Sequence, residues 1–509
     1  MELRTRVIAF AGLFALAMLP LLMTPVMPLI DLYNHLARFF VLSHIGADNF
    51  LKTYYDAHWH LLPDMGVDVL ATPLLAFVPP LIAAHVIVIF ILAVIFGGVL
   101  YFRRKVGAQD SLLVAVLLLP LLYSYILNWG FANFLLGLGL AFWAAGWWFS
   151  HRDNPRLAVP VSCLISIVIF LTHGLAFGLY GVLVASLEIG LFLKSPTRRP
   201  ADLVRALLLT AVQAIIPLLF LLVWMPDAKP PTEALPVVSM QTLGYPPGFL
   251  GRAMKRLVPI LRVEEGPAYW FDIATFAIQG LLLLLLIVRR RISLPVLAWP
   301  LLVAAALTVG IGAPSLFGVS YITDRMPLFA ALCLMGVLTF RTAAWTFVDR
   351  AAGMMLVAVV AARLIAVAAS WHAYDGFYRE FQTVADRIPS RGLSIGVAVG
   401  GGFHEMNVPR CEMYGPLLVA LHGQAGPLFA DAKQQPLGLD GALKRAVADL
   451  HGKHPQERPD DYGAFMRDAV SAGFDHILVC NAHLLAQPFP DNTKVIAQTP
   501  HFALLEAVR

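Results

Sequence analysis

The run PLIAAHVIVIFILAVIFGGVLYF (80–102) contains no Asp, Glu, Lys or Arg and is followed at once by Arg103, Arg104 and Lys105. A helix of about 20 apolar residues is long enough to cross the hydrocarbon core of a bilayer. Basic residues beside such a run favour the cytoplasmic side of the membrane. Apolar runs closed by basic clusters recur along the chain, and this pattern predicts a polytopic α-helical membrane protein.

Composition supports the same class. The chain has 509 residues, of which 59% are hydrophobic and 14% charged, and its mean hydropathy is +0.73. A soluble domain has about 25% charged residues, so most of this chain is too apolar to face water. The net charge is +5, but the basic residues lie in short clusters between apolar runs. No basic stripe with interleaved aromatic residues indicates a nucleic-acid partner.

About eleven segments are long and apolar enough to be predicted as membrane spans. They lie near residues 7–30, 80–102, 111–127, 130–149, 157–172, 174–193, 206–225, 269–288, 294–313, 326–340 and 351–370. The first follows Arg4 and Arg6 and has no small-residue cleavage site, so we interpret it as a retained helix and not as a signal peptide.

The distribution of Lys and Arg predicts the orientation of these spans. Basic residues collect in alternate loops, whereas the short connections around Asn128 and Thr172 hold none. This pattern places the N-terminus in the cytoplasm and the protein in the inner (plasma) membrane. The loops 31–79 and 226–268 and the tail from Trp371 then lie on the outer, periplasmic or extracellular side. The loop 226–268 is an exception to the pattern, because it is itself basic. The apolar segment 67–79 is too short to span and is expected to lie at the interface or to re-enter the membrane.

The tail 371–509 is predicted to be an outer soluble α/β domain, and residues 1–370 the transmembrane domain. LSIGVAVGG (393–401), DHILVCN (475–481) and HFALLEAV (501–508) are typical of strands, and YGAFMRDAVSAGF (462–474) of a helix that Gly473 ends. The glycines after residue 398 are interpreted as a turn, because no GxGxxG spacing follows.

The four cysteines give little information. Cys163 and Cys333 lie in predicted spans and are interpreted as small packing residues. Cys411 and Cys480 both fall in the tail, where a disulfide would persist in an oxidising compartment. The sequence leaves their pairing open.

Polar residues gather in the first outer loop, where Asp31 follows the first span directly. Asp31 and His35 are four residues apart and share one face of a helix. The residues LARFFVL (36–42) make an amphipathic run that suits the headgroup layer. A carboxylate at the membrane boundary is costly to desolvate and usually marks a site. We therefore expect Asp31 and His35 to be functional residues.

Further along the same loop lie His58, His60, Asp64 and Asp68. Asp64 and Asp68 are again four apart, behind Pro63 at an expected helix start. These four side chains are candidate substrate-binding residues, with solvated loop residues as the alternative. A divalent metal ion at His58, His60 and Asp64 is a further alternative. His-x-His spacing is common by chance, so no metal ligand is assigned.

This arrangement resembles the GT-C superfamily of polytopic glycosyltransferases. The resemblance covers the topology of residues 1–370. At the level of motifs it rests on Asp31 in PLIDLYNH (28–35), on HWHLLPDMGVD (58–68) and on YITDRMPLF (321–329). Leu32 follows Asp31, so the Asp-Glu pair of metal-dependent oligosaccharyltransferases is absent at this position.

The resemblance implies a sugar donor carried on a polyprenyl phosphate, which reaches the protein from the membrane lipid. Asp31 would be the general base that deprotonates the acceptor hydroxyl, with inversion at the anomeric carbon. The acceptor would be a glycan, a lipid or a protein of the cell envelope. Cations would stabilise the leaving lipid phosphate. The candidates for this role are Arg252, Lys255, Arg256 and Arg325.

Each of these assignments has an alternative. The basic trio of residues 252–256 would equally bind anionic headgroups without any chemistry. Arg325 beside Asp324 is also typical of a structural ion pair. Asn128, Asn133 and His173 lie at outer turns between spans, where they either line the same cavity or only cap helices.

Two other function classes compete with the transferase. A multi-spanning transporter or flippase fits the spans, although we find no inverted repeat and expect few charged residues inside the spans. A non-enzymatic envelope assembly protein would use the tail as a binding module. Substitution of Asp31 separates the classes, because only a transferase needs this carboxylate for turnover.

Overall fold

The computed structural model describes residues 3–108, 111–224, 257–264, 269–311, 321–400, 409–429, 435–454 and 461–509. Contacts within the chain group into two compact units. The first, called the helical unit, contains the chain up to Pro20 and the described residues from Val88 to Val367. The second, called the mixed unit, contains Leu21–Ile87 and the described residues from Ala368 to Arg509.

Helices account for most of the chain before residue 386. Those that the structure describes there are α1 (Leu3–Ala17), α2 (Leu19–Leu22), α3 (Leu32–His44), α4 (Asn49–Tyr54), α5 (Gly66–Leu75), α6 (Pro80–Lys105), α7 (Leu112–Leu122), α8 (Tyr125–Trp129), α9 (Ala132–His151), α10 (Pro155–Thr172), α11 (Gly174–Lys194), α12 (Pro200–Ala211), α13 (Ile215–Trp224), α14 (Tyr269–Val288), α15 (Ala298–Ile311), α16 (Ile322–Val337) and α17 (Phe347–Ala385). Between α14 and α17, β2 (Ile292–Ser293) and β3 (Thr339–Phe340) form a short antiparallel ladder.

In the described part of the chain, eight helical segments are long and apolar enough to cross a membrane. They are Pro80–Lys105, Leu112–Trp129, Ala132–His151, Pro155–Thr172, Gly174–Lys194, Pro200–Leu222, Trp270–Val288 and Phe347–Ala385. Large apolar side chains on them stay exposed, among them Leu164 and Leu281, each at 66%. Such side chains need lipid and not water around them. The protein is therefore a multi-pass membrane protein.

The eight segments coincide with eight of the predicted spans, and the other three are shorter helices. The predicted span 7–30 is broken, because α1 ends at Ala17 and the single turn of α2 ends at Leu22. Pro20 lies inside α2, and Pro25 and Pro28 follow it. Proline removes a helix hydrogen bond.

The predicted spans 294–313 and 326–340 correspond to α15, with 14 residues, and to α16, with 16. Helix α16 begins earlier than predicted, since Asp324 and Arg325 lie inside it. The total of about eleven spans stays a prediction.

The mixed unit contains a four-stranded sheet. Its strands are β4 (Ser394–Ala398), β6 (His476–Cys480), β7 (Thr493–Gln498) and β8 (Phe502–Ala507), in the order β4-β6-β8-β7. Strands β4 and β6 are parallel, and β8 pairs antiparallel with both β6 and β7. The C-terminal helices that the structure describes are α18 (Tyr414–His422), α19 (Gly441–Lys453) and α20 (Tyr462–Ala472).

The strands and the helix predicted in the tail are confirmed. Gly473 ends α20 in the left-handed region, with a φ of 111° that other residues rarely adopt. Cys411 and Cys480, whose pairing the sequence left open, form a disulfide.

The first loop is built into the mixed unit. Strand β1 (Tyr55–Ala57) pairs antiparallel with β5 (Leu437–Leu439). The apolar face of α3 packs against α18 and α5, and Ala37 and Val41 belong to one buried cluster with the strands of the sheet. The sequence pattern predicts loop 31–79 as part of the transmembrane domain and residues 36–42 as suited to the headgroup layer. In the structure these apolar side chains are covered by protein instead.

Candidate functional site

Asp31 and His35 stand at the start of α3. Asp31 is the residue before the helix, and its carbonyl accepts the first-turn hydrogen bond from the His35 N–H at 3.0 Å. The Asp31 side chain is half-buried. The predicted spacing of one helical turn between the two residues is therefore present.

The His35 ring is held between two aromatic rings. It stacks on Phe39 with centroids 6.2 Å apart and meets the edge of Phe429 at 5.7 Å. Its Nδ1 is buried and has no hydrogen-bond partner in the part of the chain that the structure describes. Burial, and then the Arg38 guanidinium, lower the pKa of His35 well below its usual range. This shift favours the neutral His35 ring over the imidazolium.

Asp68 forms a buried ion pair with Arg38. The Arg38 guanidinium donates from Nε and Nη2 to its two carboxylate oxygens at 2.7 and 3.0 Å. Both side chains are fully buried. Arg38 also donates from Nη1 to the Gln435 side chain at 2.6 Å. Both oxygens of Asp68 thus accept a hydrogen bond from Arg38, and the residue is a structural partner of that arginine. Its role as a substrate ligand stays a prediction.

The other loop residues lie at the surface or outside a helix. His58 contacts Asp56 at 2.8 Å, and both are exposed. His60 is exposed and contacts the His58 carbonyl at 2.9 Å. Asp64 has a φ of 74° and precedes α5, which begins at Gly66. Asp64 and Asp68 therefore do not share a helical face as predicted. Among the described residues no group of three His, Cys, Asp or Glu side chains is placed to hold a metal ion.

In the helical unit, Arg325 contacts His173. Arg325 lies in the first turn of α16 and His173 at the junction of α10 and α11, and Arg325 Nη1 lies 2.8 Å from His173 Nε2. A guanidinium can only donate, so Nε2 is the acceptor nitrogen of the imidazole. The backbone N–H of Leu175 lies 3.2 Å from Nδ1. A neutral imidazole accepts at one nitrogen only, so the Leu175 N–H and the Arg325 guanidinium compete as donors to this ring.

Aromatic rings stack on both buried arginines of this region. The Arg325 guanidinium lies 4.2 Å from the ring centre of Phe131 and 5.0 Å from that of Phe134. The Arg262 guanidinium lies 4.1 Å from the ring centre of Tyr125. Such stacking stabilises a cation where water is excluded.

Ring contacts join these two stacks into one group. Trp129 lies within 6.0 Å of Tyr125 and within 5.9 Å of Phe131, measured between ring centroids. Tyr321 packs on Trp129 at 5.1 Å. The carboxylate of Asp324 interacts electrostatically with both arginines. We call this group the arginine–aromatic cluster: Tyr125, Trp129, Phe131, Phe134, His173, Arg262, Tyr321, Asp324 and Arg325.

The other predicted site residues lie partly in the helical unit, partly in the mixed unit and partly outside the described residues. Asn128 and Asn133 are buried in α8 and α9, which also carry Tyr125, Trp129 and Phe134 of the cluster. Arg252, Lys255 and Arg256 lie outside the described residues. Asp31 and His35 belong to the mixed unit, whereas His173 and Arg325 belong to the helical unit.

Few charged side chains were expected inside the spans, and two of those that the structure describes are buried beside an opposite charge. Arg363 in α17 is buried and pairs with Glu264 at 3.2 Å and with Asp272 at 3.3 Å. Glu188 in α11 is buried and pairs with Arg152 at 2.6 Å. Each charge is tolerated because an opposite charge lies beside it. In the sequence, such buried ion pairs are indicated only by a single ionisable residue within an otherwise apolar run.

No family model and no curated protein matches this sequence. Among solved structures, ArnT from Cupriavidus metallidurans, bound to undecaprenyl phosphate, has a TM-score of 0.46 and 13% identity, over 99% of this chain and 98% of that one. The arabinofuranosyltransferase AftD from Mycobacteria has a TM-score of 0.42 and 14% identity, over 99% of this chain and 42% of that one. This chain thus spans less than half the length of AftD. Because both TM-scores lie below 0.5, we base the functional proposal on the side chains described above.

Proposed function

We propose that this protein is a membrane glycosyltransferase of the GT-C type. It transfers a sugar from a polyprenyl-phosphate donor to a hydroxyl of an envelope acceptor, at the outer face of the inner membrane and with inversion. The observation that carries the proposal is the arginine–aromatic cluster. Buried arginines stacked on aromatic rings suit a ligand that combines an anionic phosphate with an apolar chain.

In the proposed reaction, the acceptor oxygen forms a bond to the anomeric carbon while the bond from that carbon to the phosphate oxygen breaks. The electron pair of the broken bond stays on the phosphate, and the polyprenyl phosphate leaves with an added negative charge. Arg325 and Arg262 stabilise this charge. Asp31, at the start of α3, is the proposed general base for the acceptor hydroxyl, and this assignment rests on its own position and not on a site shared with the two arginines.

His35 has a supporting role in this proposal. Its neutral ring lies one helical turn beyond Asp31 and is held between Phe39 and Phe429. A neutral imidazole both donates and accepts hydrogen bonds, so it can orient the carboxylate or the acceptor. Loss of the His35 side chain is then milder than loss of the Asp31 charge. The Cys411–Cys480 disulfide supports an oxidising outer compartment for the mixed unit.

Transport is the second candidate function, and the buried group of Arg363, Glu264 and Asp272 favours it. Ionisable residues at membrane depth often mark a substrate or proton path. A transporter moves its substrate unchanged, whereas a transferase releases polyprenyl phosphate. Chemical analysis of the lipid product therefore separates the two functions.

The test uses the purified protein in liposomes with a polyprenyl-phosphate sugar and a mixture of envelope acceptors. We expect Asp31→Asn to lower the turnover about 10²- to 10⁴-fold, because asparagine keeps the volume of aspartate but takes up no proton. Arg325→Ala should lower kcat/KM for the donor about 10²-fold. The exposed Arg104 provides the control, and Arg104→Ala should leave turnover unchanged.

Two outcomes would contradict the proposal. Turnover by Asp31→Asn within about threefold of wild type would contradict the assignment of Asp31 as the general base, since losing a base lowers the rate far more than this. Movement of the intact donor without release of polyprenyl phosphate supports the transporter instead.

A further inference from the structure

The segment that carries Asp31 and His35 is held by residues from the C-terminal part of the mixed unit. Three residues before Asp31, the Pro28 carbonyl accepts a hydrogen bond from Arg410 Nη1. Beyond Asp31, the Asn34 side chain accepts a hydrogen bond from the Phe429 N–H at 2.6 Å. The segment is therefore fixed on both sides of Asp31 by residues nearly 400 positions further along the chain.

Arg410 is itself anchored to the sheet. Its neighbour Cys411 forms the disulfide with Cys480, the last residue of β6. Strand β6 lies inside the sheet, paired with β4 on one side and β8 on the other. The Arg410 guanidinium also lies 5.5 Å from the ring centre of Tyr374. Both the backbone and the side chain of Arg410 therefore have fixed positions.

We infer that Arg410, held to the sheet through the Cys411–Cys480 disulfide, is a positioning residue for Asp31. This inference rests on the proposed function. Pro28 has a fixed φ and no N–H, so the carbonyl that Arg410 holds lies on a stiff part of the chain. A displacement of about 1 Å at a reacting group can cost about 10²-fold in rate. The C-terminal part of the mixed unit is then a component of the catalytic machinery and not a separate binding module.

The first test compares Arg410→Ala with a matched control. Arg391 also joins the first loop to C-terminal residues, through Asp48 at 2.7 Å and the Gly423 carbonyl at 2.8 Å, but its side chain is 41% exposed. Arg410→Ala should lower kcat about 10- to 100-fold and leave the KM of the polyprenyl-phosphate sugar within about threefold of wild type. Arg391→Ala should leave both constants near wild type. Arg410→Lys should recover part of the lost kcat, because lysine also donates to a carbonyl.

The second test does not depend on activity. Hydrogen exchange of the peptide covering residues 27–36 should be faster in Arg410→Ala and in the double variant Cys411→Ser/Cys480→Ser, and unchanged in Arg391→Ala. A general loss of folding would instead accelerate exchange across the whole sheet, and that result would overturn a specific positioning role.

The two proposals fail in different ways. If Asp31→Asn is inactive and Arg410→Ala has the kcat of wild type, the positioning role is wrong and the general base stands. If Asp31→Asn is fully active, the general base assigned in the proposed function is wrong. The hydrogen-exchange rates of residues 27–36 then test the positioning role of Arg410 independently of activity. Unchanged rates in Arg410→Ala would overturn that role.

Discussion

At the scale of single residues, Arg38 and Asp68 form an ion pair that has no contact with solvent. Two charges are taken out of water when this pair forms. Their mutual attraction and their hydrogen bonds offset the free-energy cost of that desolvation. Arg38 uses a third nitrogen for Gln435, so its whole guanidinium is engaged with protein. The pair thus joins α3 to α5, and both to the C-terminal part of the mixed unit.

We expect Asp68→Asn to destabilise the mixed unit by about 3–5 kcal/mol, because it leaves the Arg38 charge buried without its counter-charge. Asp48→Asn is the control. Asp48 pairs with Arg391 at a partly exposed site and accepts the Phe50 N–H at the start of α4, which asparagine also does. This variant should cost less than about 1 kcal/mol.

Chemical denaturation in detergent, followed by the fluorescence of the mixed unit, measures both variants. Equal stability of Asp68→Asn and wild type would show that Arg38 finds another partner, and the structural role assigned to Asp68 would then be wrong.

At the scale of elements, α6 and α9 approach each other closely through glycines. A Cβ atom at Gly98 would lie 2.7 Å from the Gly139 carbonyl oxygen, and one at Gly139 would lie 2.9 Å from the Ile95 nitrogen. Small residues at such positions let the backbones of two membrane helices come into contact. The two spans are thus packed by van der Waals contact, since lipid supplies no hydrophobic driving force between them.

Gly139→Ala should therefore destabilise the helical unit by about 1–3 kcal/mol, because the added methyl group meets backbone atoms that cannot rotate away. Gly181 in α11 has no atom within 4 Å of an added Cβ. Gly181→Ala should be neutral or slightly stabilising, because alanine favours a helix over glycine by about 1 kcal/mol. Thermal unfolding in detergent compares the two. A Gly139→Ala variant as stable as Gly181→Ala would exclude close packing at this contact.

At the scale of the whole molecule, the distribution of basic residues predicts which ends of the spans face the cytoplasm. We expect a tag after Arg509 to be accessible from the outer side in spheroplasts, and a tag in the 103–110 loop to be protected. Impermeant labelling of each tag, before and after lysis, measures this. A cytoplasmic C-terminus would contradict the orientation. It would also remove the outer location of the proposed site.

The sequence was informative wherever the determining pattern is local. In the described part of the chain, the eight helices long and apolar enough to span a membrane follow from runs of about 20 apolar residues, and β4, β6, β8 and α20 from the apolar spacing of the tail. Helix ends were less predictable, because prolines such as Pro20 and Pro25 break the apolar run of residues 7–30.

Long-range pairing left no local signal. The run of residues 36–42 has the amphipathic pattern of a membrane-surface helix, and only the position of α18 and the sheet shows that protein covers it. Likewise, Asp68 has the spacing of a site residue until Arg38 is found beside it. Of the candidate site, the sequence identified Asp31, His173 and Arg325 individually. The stacking of Arg325 and Arg262 on aromatic rings depends on the tertiary structure.

The pairing of β1 with β5 has a consequence for the biogenesis of the protein. Tyr55 lies opposite Leu439, so their codons are separated by 439 − 55 = 384 positions. At a synthesis rate of about 5–20 residues per second, roughly 20–80 s pass between the emergence of these two strands from the ribosome. During that delay the first loop has an unpaired strand edge, and the apolar face of α3 lacks its cover. Such a segment is a natural client of a holdase chaperone, and a chain that terminates before Leu437 would keep an aggregation-prone, protease-sensitive loop.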